Sequence, residues 1–136
     1  MVNPPESGDE SYPKYAEERD NILASLKRRA GRMTDALNML EGVSCTNIDG
    51  AMYAFPTITL PEKAILAATA VGIEPDAMYC MELLEHTGIV VVPGSGFGQK
   101  IGTHHFRTTI LPPEESMDEV IDLLKTFHSN FLMRYA

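Results

Sequence analysis

The sequence predicts an α+β fold in which a small antiparallel or mixed sheet of about three to four strands packs against helices. The first observation is the order of the predicted elements: helix, two strands, two helices, two strands, helix. The second is size, because 136 residues, 44% of them hydrophobic and 22% charged, suit one domain with its own core. Residues 1–11, rich in Pro, Gly, Ser and acidic residues, are interpreted as a linker-like segment, so the domain is expected over residues 12–136.

The first element is a long helix, predicted from Tyr12 to about Leu40. Its apolar residues recur at intervals of three, four and seven, which places them on one face, and Gly42 follows the end. That face comprises Tyr15, Ile22, Leu26, Ala30, Met33, Leu37 and Leu40. The opposite face carries the charged runs EERD and KRR, acidic first and basic later as the helix dipole favours, and is expected to be solvated.

Strands are predicted where β-branched and aromatic residues are bounded by turn residues. The first pair covers residues 43–45 and 51–59, and the second pair covers residues 89–92 and 104–111. Pro56 lies inside the second of these runs and has no amide proton for a ladder. This run is therefore expected at a sheet edge or at a bulge.

The two middle helices are bounded by proline and glycine, which are favoured in the first turn and just after the last turn respectively. Pro61 and Gly72 delimit one helix, and Pro75 and Gly88 delimit the other. The buried stripe of the second helix is expected to consist of Tyr79, Cys80, Leu83 and Leu84.

The last helix is predicted to follow the Pro-Pro pair at residues 112–113 and to end near Met133. Ser116 and Glu119 have the spacing of a capping box. The apolar face of this helix is expected to comprise Met117, Val120, Ile121, Leu124, Phe127 and Phe131.

Charge and composition exclude several classes of function. The net charge of −8 argues against a nucleic-acid partner and against an anionic membrane surface. No apolar run approaches the roughly 18 residues of a membrane span. Cys45 and Cys80 are interpreted as buried free thiols in a reducing compartment, and Met1 is followed by no targeting signal. The expected compartment is the cytoplasm, with the mitochondrion as the alternative.

A glycine-rich loop follows the third predicted strand, with Gly94, Gly96 and Gly98 at alternate positions. A dinucleotide fingerprint is excluded by context, because such a loop must open into a helix and this one leads into a strand. Two interpretations of the three glycines remain. The glycines could supply positive φ in a tight hairpin or mobile loop, or they could let the chain pass close to a ligand.

Arg107 lies in the middle of the otherwise apolar run HFRTTIL. If its side chain points inward it needs a partner, because an unpaired buried charge is costly. The alternative is that it faces solvent. A planar guanidinium is well suited to a carboxylate, which it can bind through two parallel hydrogen bonds.

The remaining polar residues suggest no catalyst. His104 and His105 face opposite sides of a strand and cannot bind one metal together, and His86 and His128 are distant in sequence, so no metal site is expected. The lysines fall mostly on polar helix faces. Taken alone, the residues predict an anion clamp without a catalytic group.

Four segments carry a family resemblance. They are GAMYAFP at 50–56, PDAMYCMELLEHTG at 75–88, VVPGSGFGQ at 91–99 and HFRTTILPP at 105–113. Together they resemble the carboxy-terminal portion of alanine aminotransferases, which are fold-type I enzymes dependent on pyridoxal 5'-phosphate. One departure is His104, a position that is usually tyrosine in this family.

The resemblance implies roles for particular residues. In the family, the arginine of the HFR segment binds the α-carboxylate of the substrate, which assigns that role to Arg107. The closing loop of the site corresponds to Pro93, Gly94, Ser95, Gly96, Phe97 and Gly98. The Schiff-base lysine and the cofactor-binding residues of the family lie in a large domain that is expected upstream.

The resemblance also implies the reaction, which converts L-alanine and 2-oxoglutarate to pyruvate and L-glutamate. Pyridoxal 5'-phosphate is expected in a full-length homodimeric enzyme, and this chain alone is expected to bind none and to be inactive. The alternative is a free-standing module that binds small carboxylates. If the chain is a truncated domain, the faces that contact the large domain and a partner subunit would be exposed and apolar, so self-association is expected.

Overall fold

A computed structural model describes residues 3–50 and 52–136. Met1, Val2 and Ala51 lie outside the described residues, so the start of the predicted linker and the first residue of the predicted strand 51–59 are not assigned. The elements are α1 (Tyr12–Asn38), β1 (Val43–Ser44), β2 (Tyr53–Ala54), β3 (Thr57–Ile58), α2 (Glu62–Ala70), α3 (Pro75–Thr87), β4 (Val92–Pro93), β5 (His104–Thr109) and α4 (Met117–Arg134).

The strands form one curled sheet organised around β5. β2, β3 and β4 each pair with β5, β1 pairs with β3, and all of these pairings are antiparallel. The helices pack against this sheet, so the predicted α+β class is confirmed. The strands are shorter than predicted, since β4 covers only Val92–Pro93 and β5 ends at Thr109.

Pro56 divides the single predicted run 51–59 into β2 and β3. The pairs Ala54 with Thr108 and Thr57 with His105 keep the same register, so the chain has no bulge at this point. The carbonyl of Pro56 accepts the amide of Phe106 at 3.4 Å, but proline has no amide proton with which to return the bond. This missing bond is why β2 and β3 are separate strands. β1 ends opposite Thr57, so the edge interpretation of Pro56 is the one that the register supports.

The core lies between the sheet and helices α3 and α4. Tyr79 of α3, Phe106 of β5 and Phe131 of α4 are each at most 1% exposed, and the Tyr79 ring contacts both phenylalanines. Most of the predicted apolar face of α4 is buried, Val120 only partly. Leu84 of α3 is wrongly predicted as a core residue, because its side chain is 37% exposed.

The predicted capping box at Ser116 and Glu119 is wrong. A short 3-10 turn, Glu114–Ser116, runs directly into α4 and gives Ser116 a helical backbone with φ −92° and ψ −6°. An N-cap side chain reaches the first amides of a helix from extended backbone, so Ser116 makes no side-chain cap.

Helix α1 is buried only over its second half. Met33 and Leu37 are at most 1% exposed, whereas Ile22 and Leu23 are 59% and 57% exposed. The first half of the predicted apolar stripe therefore has no packing partner in the described residues. No helix in the described part of the chain has the length and apolar character needed to cross a membrane.

The basic part of α1 is not simply solvated, as the charge pattern had suggested. Arg28 donates two hydrogen bonds to the carboxylate of Glu114, at 2.7 and 2.9 Å. Arg29 donates to the carbonyls of Leu111 and Pro112 at 3.0 and 3.1 Å. These side chains attach α1 to the segment between β5 and α4.

Candidate functional site at Arg107

Arg107 lies on the face of β5 opposite the core. Its neighbour Phe106 is 1% exposed, and successive side chains of a strand point to opposite faces. The guanidinium of Arg107 lies between two aromatic rings, with its central carbon 4.8 Å from the ring centre of Tyr53 and 4.5 Å from that of Phe97. From the sequence, the Arg107 side chain was expected either to point inward toward a partner or to face solvent. The structure instead shows a half-buried cation that lies over two aromatic rings.

The guanidinium has no acidic partner in residues 3–50 and 52–136. The ion pairs found in this part of the chain involve other cations, among them Arg28 with Glu114 and Arg134 with Glu82. The central carbon of Arg107 lies over both aromatic rings, and its N–H groups point outward in the plane of the guanidinium. A planar anion such as a carboxylate can therefore approach the edge of the guanidinium and accept two parallel hydrogen bonds.

An aromatic rim surrounds this cation. Phe55 is stacked on the ring of His105 with ring centres 5.0 Å apart and meets Phe97 edge-on at 6.2 Å. The side chains of Tyr53, Phe55 and Phe97 are between 45% and 48% exposed. Apolar groups beside a cation exclude water and strengthen its attraction for an anion.

The glycine loop is a tight 3-10 turn, Gly94–Phe97, closed by Gly98 at φ 74°. Only the last glycine therefore supplies the positive φ considered for the loop. Gly94 is buried, and a Cβ built on it would lie 2.7 Å from the Cβ of His105 and in contact with Oε1 of Gln99. The close approach at Gly94 is thus to the protein's own β5.

Asp76 holds this loop, and sequence reasoning did not find it. Its side chain is 1% exposed at the start of α3. Oδ2 accepts the amide of Ser95 at 2.7 Å and Nε2 of Gln99 at 3.0 Å, while Oδ1 accepts the amide of Ala77 at 3.0 Å. Asp76 lies three residues before Tyr79, on the same helical stripe. An acid in register with a buried stripe was the signal that could have identified it.

The Asp76 carboxylate also affects what the loop can bind. The amide of Ser95 is already bound to this anion, so it cannot serve as a phosphate donor. A phosphate bound at this loop would therefore need donors other than the Ser95 amide.

Comparison with known proteins identifies the family. The model of the family "Aminotransferase class I and II" matches residues 9–124. The chain belongs to this family. The resemblance drawn from the four sequence segments is thus confirmed.

Individual relatives cover almost the whole of this aminotransferase chain. It is 57% identical over 135 residues to the probable mitochondrial alanine aminotransferase of Dictyostelium discoideum, a match that covers 99% of this chain and 25% of the relative. It is 54% identical over 136 residues to glutamate--glyoxylate aminotransferase 2 of Arabidopsis thaliana, covering 100% of this chain and 28% of the relative. The chain spans about a quarter of the length of the curated relatives it matches.

Solved structures support the same fold. An alanine aminotransferase from Pyrococcus furiosus superposes with a TM-score of 0.66 and 29% sequence identity, covering 86% of this chain and 26% of that one. An aromatic aminotransferase from Pyrococcus horikoshii superposes with a TM-score of 0.64 at 21% identity, which supports the fold alone.

His128 of this aminotransferase chain has a structural role in the core. His128, 2% exposed, donates from Nε2 to the carbonyl of Glu41 at 2.8 Å, so its Nδ1 accepts the hydroxyl of Tyr79 at 3.0 Å. Burial lowers the pKa of His128. No group of three or more His, Cys, Asp or Glu residues in the described ranges is arranged to hold a metal ion.

The two cysteines are unpaired thiols, and Cys45 is less buried than expected. Cys80 lies in the core, where burial and the nearby Asp76 carboxylate raise its pKa to about 12. A thiol with so high a pKa carries almost no nucleophilic thiolate near neutral pH.

Proposed function

We propose that this chain is the C-terminal, substrate-clamping domain of a pyridoxal-phosphate-dependent alanine aminotransferase. In this proposal the enzyme converts L-alanine and 2-oxoglutarate to pyruvate and L-glutamate. The observation that carries the proposal is the guanidinium of Arg107, which is stacked between Tyr53 and Phe97 without an acidic partner in the described residues. Several close relatives are named alanine aminotransferases.

Arg107 binds the α-carboxylate common to both amino acids and to both oxo acids. The two stacked rings hold the guanidinium in one orientation, so little side-chain entropy is lost when the anion binds. The loop from Pro93 to Gly98 lines the site and closes over the bound substrate together with the rest of this domain, so Phe97 keeps its contact with Arg107.

The residues of this chain do not fit a complete pyridoxal phosphate site. Four of its five lysines are exposed, and none lies on β2 or β5, which carry Tyr53 and Arg107 respectively. The amide of Ser95 is bound to the Asp76 carboxylate and is not free for a phosphate. We infer that residues outside this chain hold the cofactor in the full-length enzyme, and that the chain alone is inactive.

The remaining partners follow from the same proposal. The chain packs against the large domain of its own enzyme, and the full-length protein forms a homodimer. The cytoplasm is the proposed compartment. The mitochondrion is the alternative, because relatives from Dictyostelium discoideum and Arabidopsis thaliana are named mitochondrial.

A chimera tests this function. The matching quarter of the Dictyostelium relative is replaced by this chain, and alanine–2-oxoglutarate transamination is measured with added cofactor. We expect an active enzyme in which Arg107→Lys raises the KM for both substrates roughly 10- to 150-fold, the loss of a charge-assisted hydrogen bond. Arg134→Lys is the matched control, since Arg134 pairs with Glu82 rather than facing the aromatic rim. Unchanged KM values in Arg107→Lys would refute the role of Arg107.

The isolated chain separates this function from that of a free-standing carboxylate-binding module. We expect no transamination and no Schiff-base absorbance after incubation with pyridoxal phosphate. Calorimetric titration with alanine, glutamate and 2-oxoglutarate is expected to give no heat. Binding at millimolar concentration or tighter that is lost in Arg107→Ala would favour the module.

A further inference from the structure

A directed chain of hydrogen bonds leads from the buried carboxylate of Asp76 to the outer face of the sheet. An ionised carboxylate only accepts hydrogen bonds, so the group of Gln99 that faces Asp76 is its NH2. The carbonyl Oε1 of Gln99 therefore faces His105, and Nδ1–H of His105 donates to it at 3.1 Å. Asp76 thereby determines which ring nitrogen of a neutral His105 carries the proton.

Ring contacts continue this path to Arg107. The ring of His105 is stacked on Phe55 at an interplanar angle of 1°, and Phe55 meets the edge of Phe97. The ring centre of Phe97 lies 4.5 Å from the central carbon of the Arg107 guanidinium. The Asp76 carboxylate also binds the loop directly, through the amide of Ser95, two residues before Phe97. Two contacts therefore position Phe97: its backbone belongs to the 3-10 turn, and its ring meets the ring of Phe55.

We propose that Asp76 is a positioning residue for the substrate clamp, acting through Ser95, Gln99 and His105 to hold Phe97 against Arg107. The inference rests on the proposed function, in which Arg107 binds the substrate carboxylate. Asp76 belongs to α3, whereas Arg107 belongs to β5, so the contact also joins the loop to the helical layer behind it. No other described carboxylate accepts a hydrogen bond from the loop.

The state of His105 tests the hydrogen-bond chain without any assay of activity. In the 15N-labelled 136-residue chain at neutral pH, we expect unbound His105 to carry its proton on Nδ1. Gln99→Met keeps the length of the side chain but removes its carbonyl oxygen and its NH2 group. The preference of the His105 proton for Nδ1 is therefore expected to be lost. The proposal is overturned if wild-type His105 carries its proton on Nε2, or if Gln99→Met leaves the ring 15N shifts unchanged.

The chimeric aminotransferase tests the consequence for the substrate. Asp76→Asn removes the negative charge that both loop contacts use, and its NH2 group faces either the amide of Ala77 or, at the other position, both the amide of Ser95 and Nε2 of Gln99. We expect the KM for alanine and 2-oxoglutarate to rise about tenfold, with a smaller change in kcat, as for the loss of one hydrogen bond to a charged group. Asp122→Asn, an exposed change on α4, is the control and is expected to leave both constants unchanged.

The outcomes distinguish this inference from the function on which it rests. If Arg107→Lys raises KM and Asp76→Asn does not, the positioning role is wrong and the proposed function stands. If neither variant raises KM, the proposed function is wrong, and the His105 spectrum still decides whether Asp76 sets the proton position. Should Asp76→Asn fail to fold, Gln99→Met takes its place in the kinetic assay, where an unchanged KM would count against the proposal.

Discussion

Gly94 and His105 pack so closely that no side chain fits between them. A Cβ placed on Gly94 would lie 2.7 Å from the Cβ of His105 and 3.0 Å from its carbonyl oxygen. Both neighbouring atoms belong to β5 or to its first side-chain carbon, so neither can move without shifting the strand. The turn that carries Phe97 is therefore seated directly on the strand that carries Arg107.

Gly94→Ala is expected to destabilise the chain by about 1–3 kcal/mol, the usual cost of overpacking a filled site. Urea unfolding followed by circular dichroism measures this difference. Gly96→Ala is the matched control, because a Cβ at Gly96 has no atom within 4 Å and no positive φ is required there. Equal free energies of unfolding for the two variants would contradict the packing seen at Gly94.

The buried His128 predicts a loss of stability in mild acid. Burial lowers the pKa of His128 in the folded chain, whereas an unperturbed histidine has a pKa of about 6.5. Below about 6.5 the unfolded chain therefore takes up a proton that the folded chain does not. The free energy of unfolding should therefore decrease as the pH falls below about 6.5 and until the lowered folded pKa is passed.

Urea unfolding at about pH 7.5 and about pH 5.5 tests this window. His128→Gln removes the titrating group and keeps an N–H that can reach the carbonyl of Glu41, so it is expected to reduce the difference between the two values. Ser129→Ala, an exposed neighbour on α4, should keep the wild-type difference. If His128→Gln showed the same difference as the wild type, His128 would not be its source.

Periodicity and turn residues were sufficient to predict most of the secondary structure. Pro75 and Gly88 set the bounds of α3, because a proline at the first turn and a left-handed glycine after the last are local requirements of a helix. Arg107 was predicted as a possible anion ligand from its residue type and its strand, and its role toward the substrate carboxylate, which the family resemblance implies, stays a prediction.

The site itself depends on contacts between residues distant in sequence, which local patterns do not encode. Tyr53 and Phe97 lie on different elements and meet only because both β2 and the turn after β4 flank β5. Asp76 was overlooked because an acid in the first turn of a helix is favoured by the helix dipole and needs no other explanation. Helix α1 showed the reverse, since its apolar stripe is regular but the first half of it packs on no other part of residues 3–50 and 52–136.

Glu114 predicts a second loss of stability, at lower pH. Hydrogen bonds from Arg28 and Ser25 lower the pKa of this carboxyl from 4.5 to about 2. The folded chain then keeps the carboxylate ionised where the unfolded chain is protonated. The stabilisation is complete above about 4.5 and is lost progressively as the pH falls toward about 2.

Acid unfolding curves of Glu114→Gln and Glu115→Gln compare this position with its exposed neighbour. Glu114→Gln is expected to be less stable than the wild type at neutral pH and to lose less stability as the pH falls from about 4.5 to about 2. Glu115→Gln should follow the wild-type curve over this range, because no hydrogen bond to its side chain is found in the described residues. Parallel curves for the wild type and Glu114→Gln would show that the contact with Arg28 contributes nothing.

The exposed first half of α1 is expected to cause self-association of the isolated chain. Ile22 and Leu23 are more than half exposed and adjacent, and apolar surface of this kind is normally covered by a partner. Analytical ultracentrifugation over a range of concentrations should show reversible oligomers. In Ile22→Lys the association is expected to be about tenfold weaker or more, because burial of an isoleucine side chain contributes about 1.5–3 kcal/mol. Asn21→Lys adds the same charge at the preceding exposed position, so an equal effect of the two variants would attribute the weaker association to charge. A wild-type chain that stays monomeric at every concentration would refute the prediction.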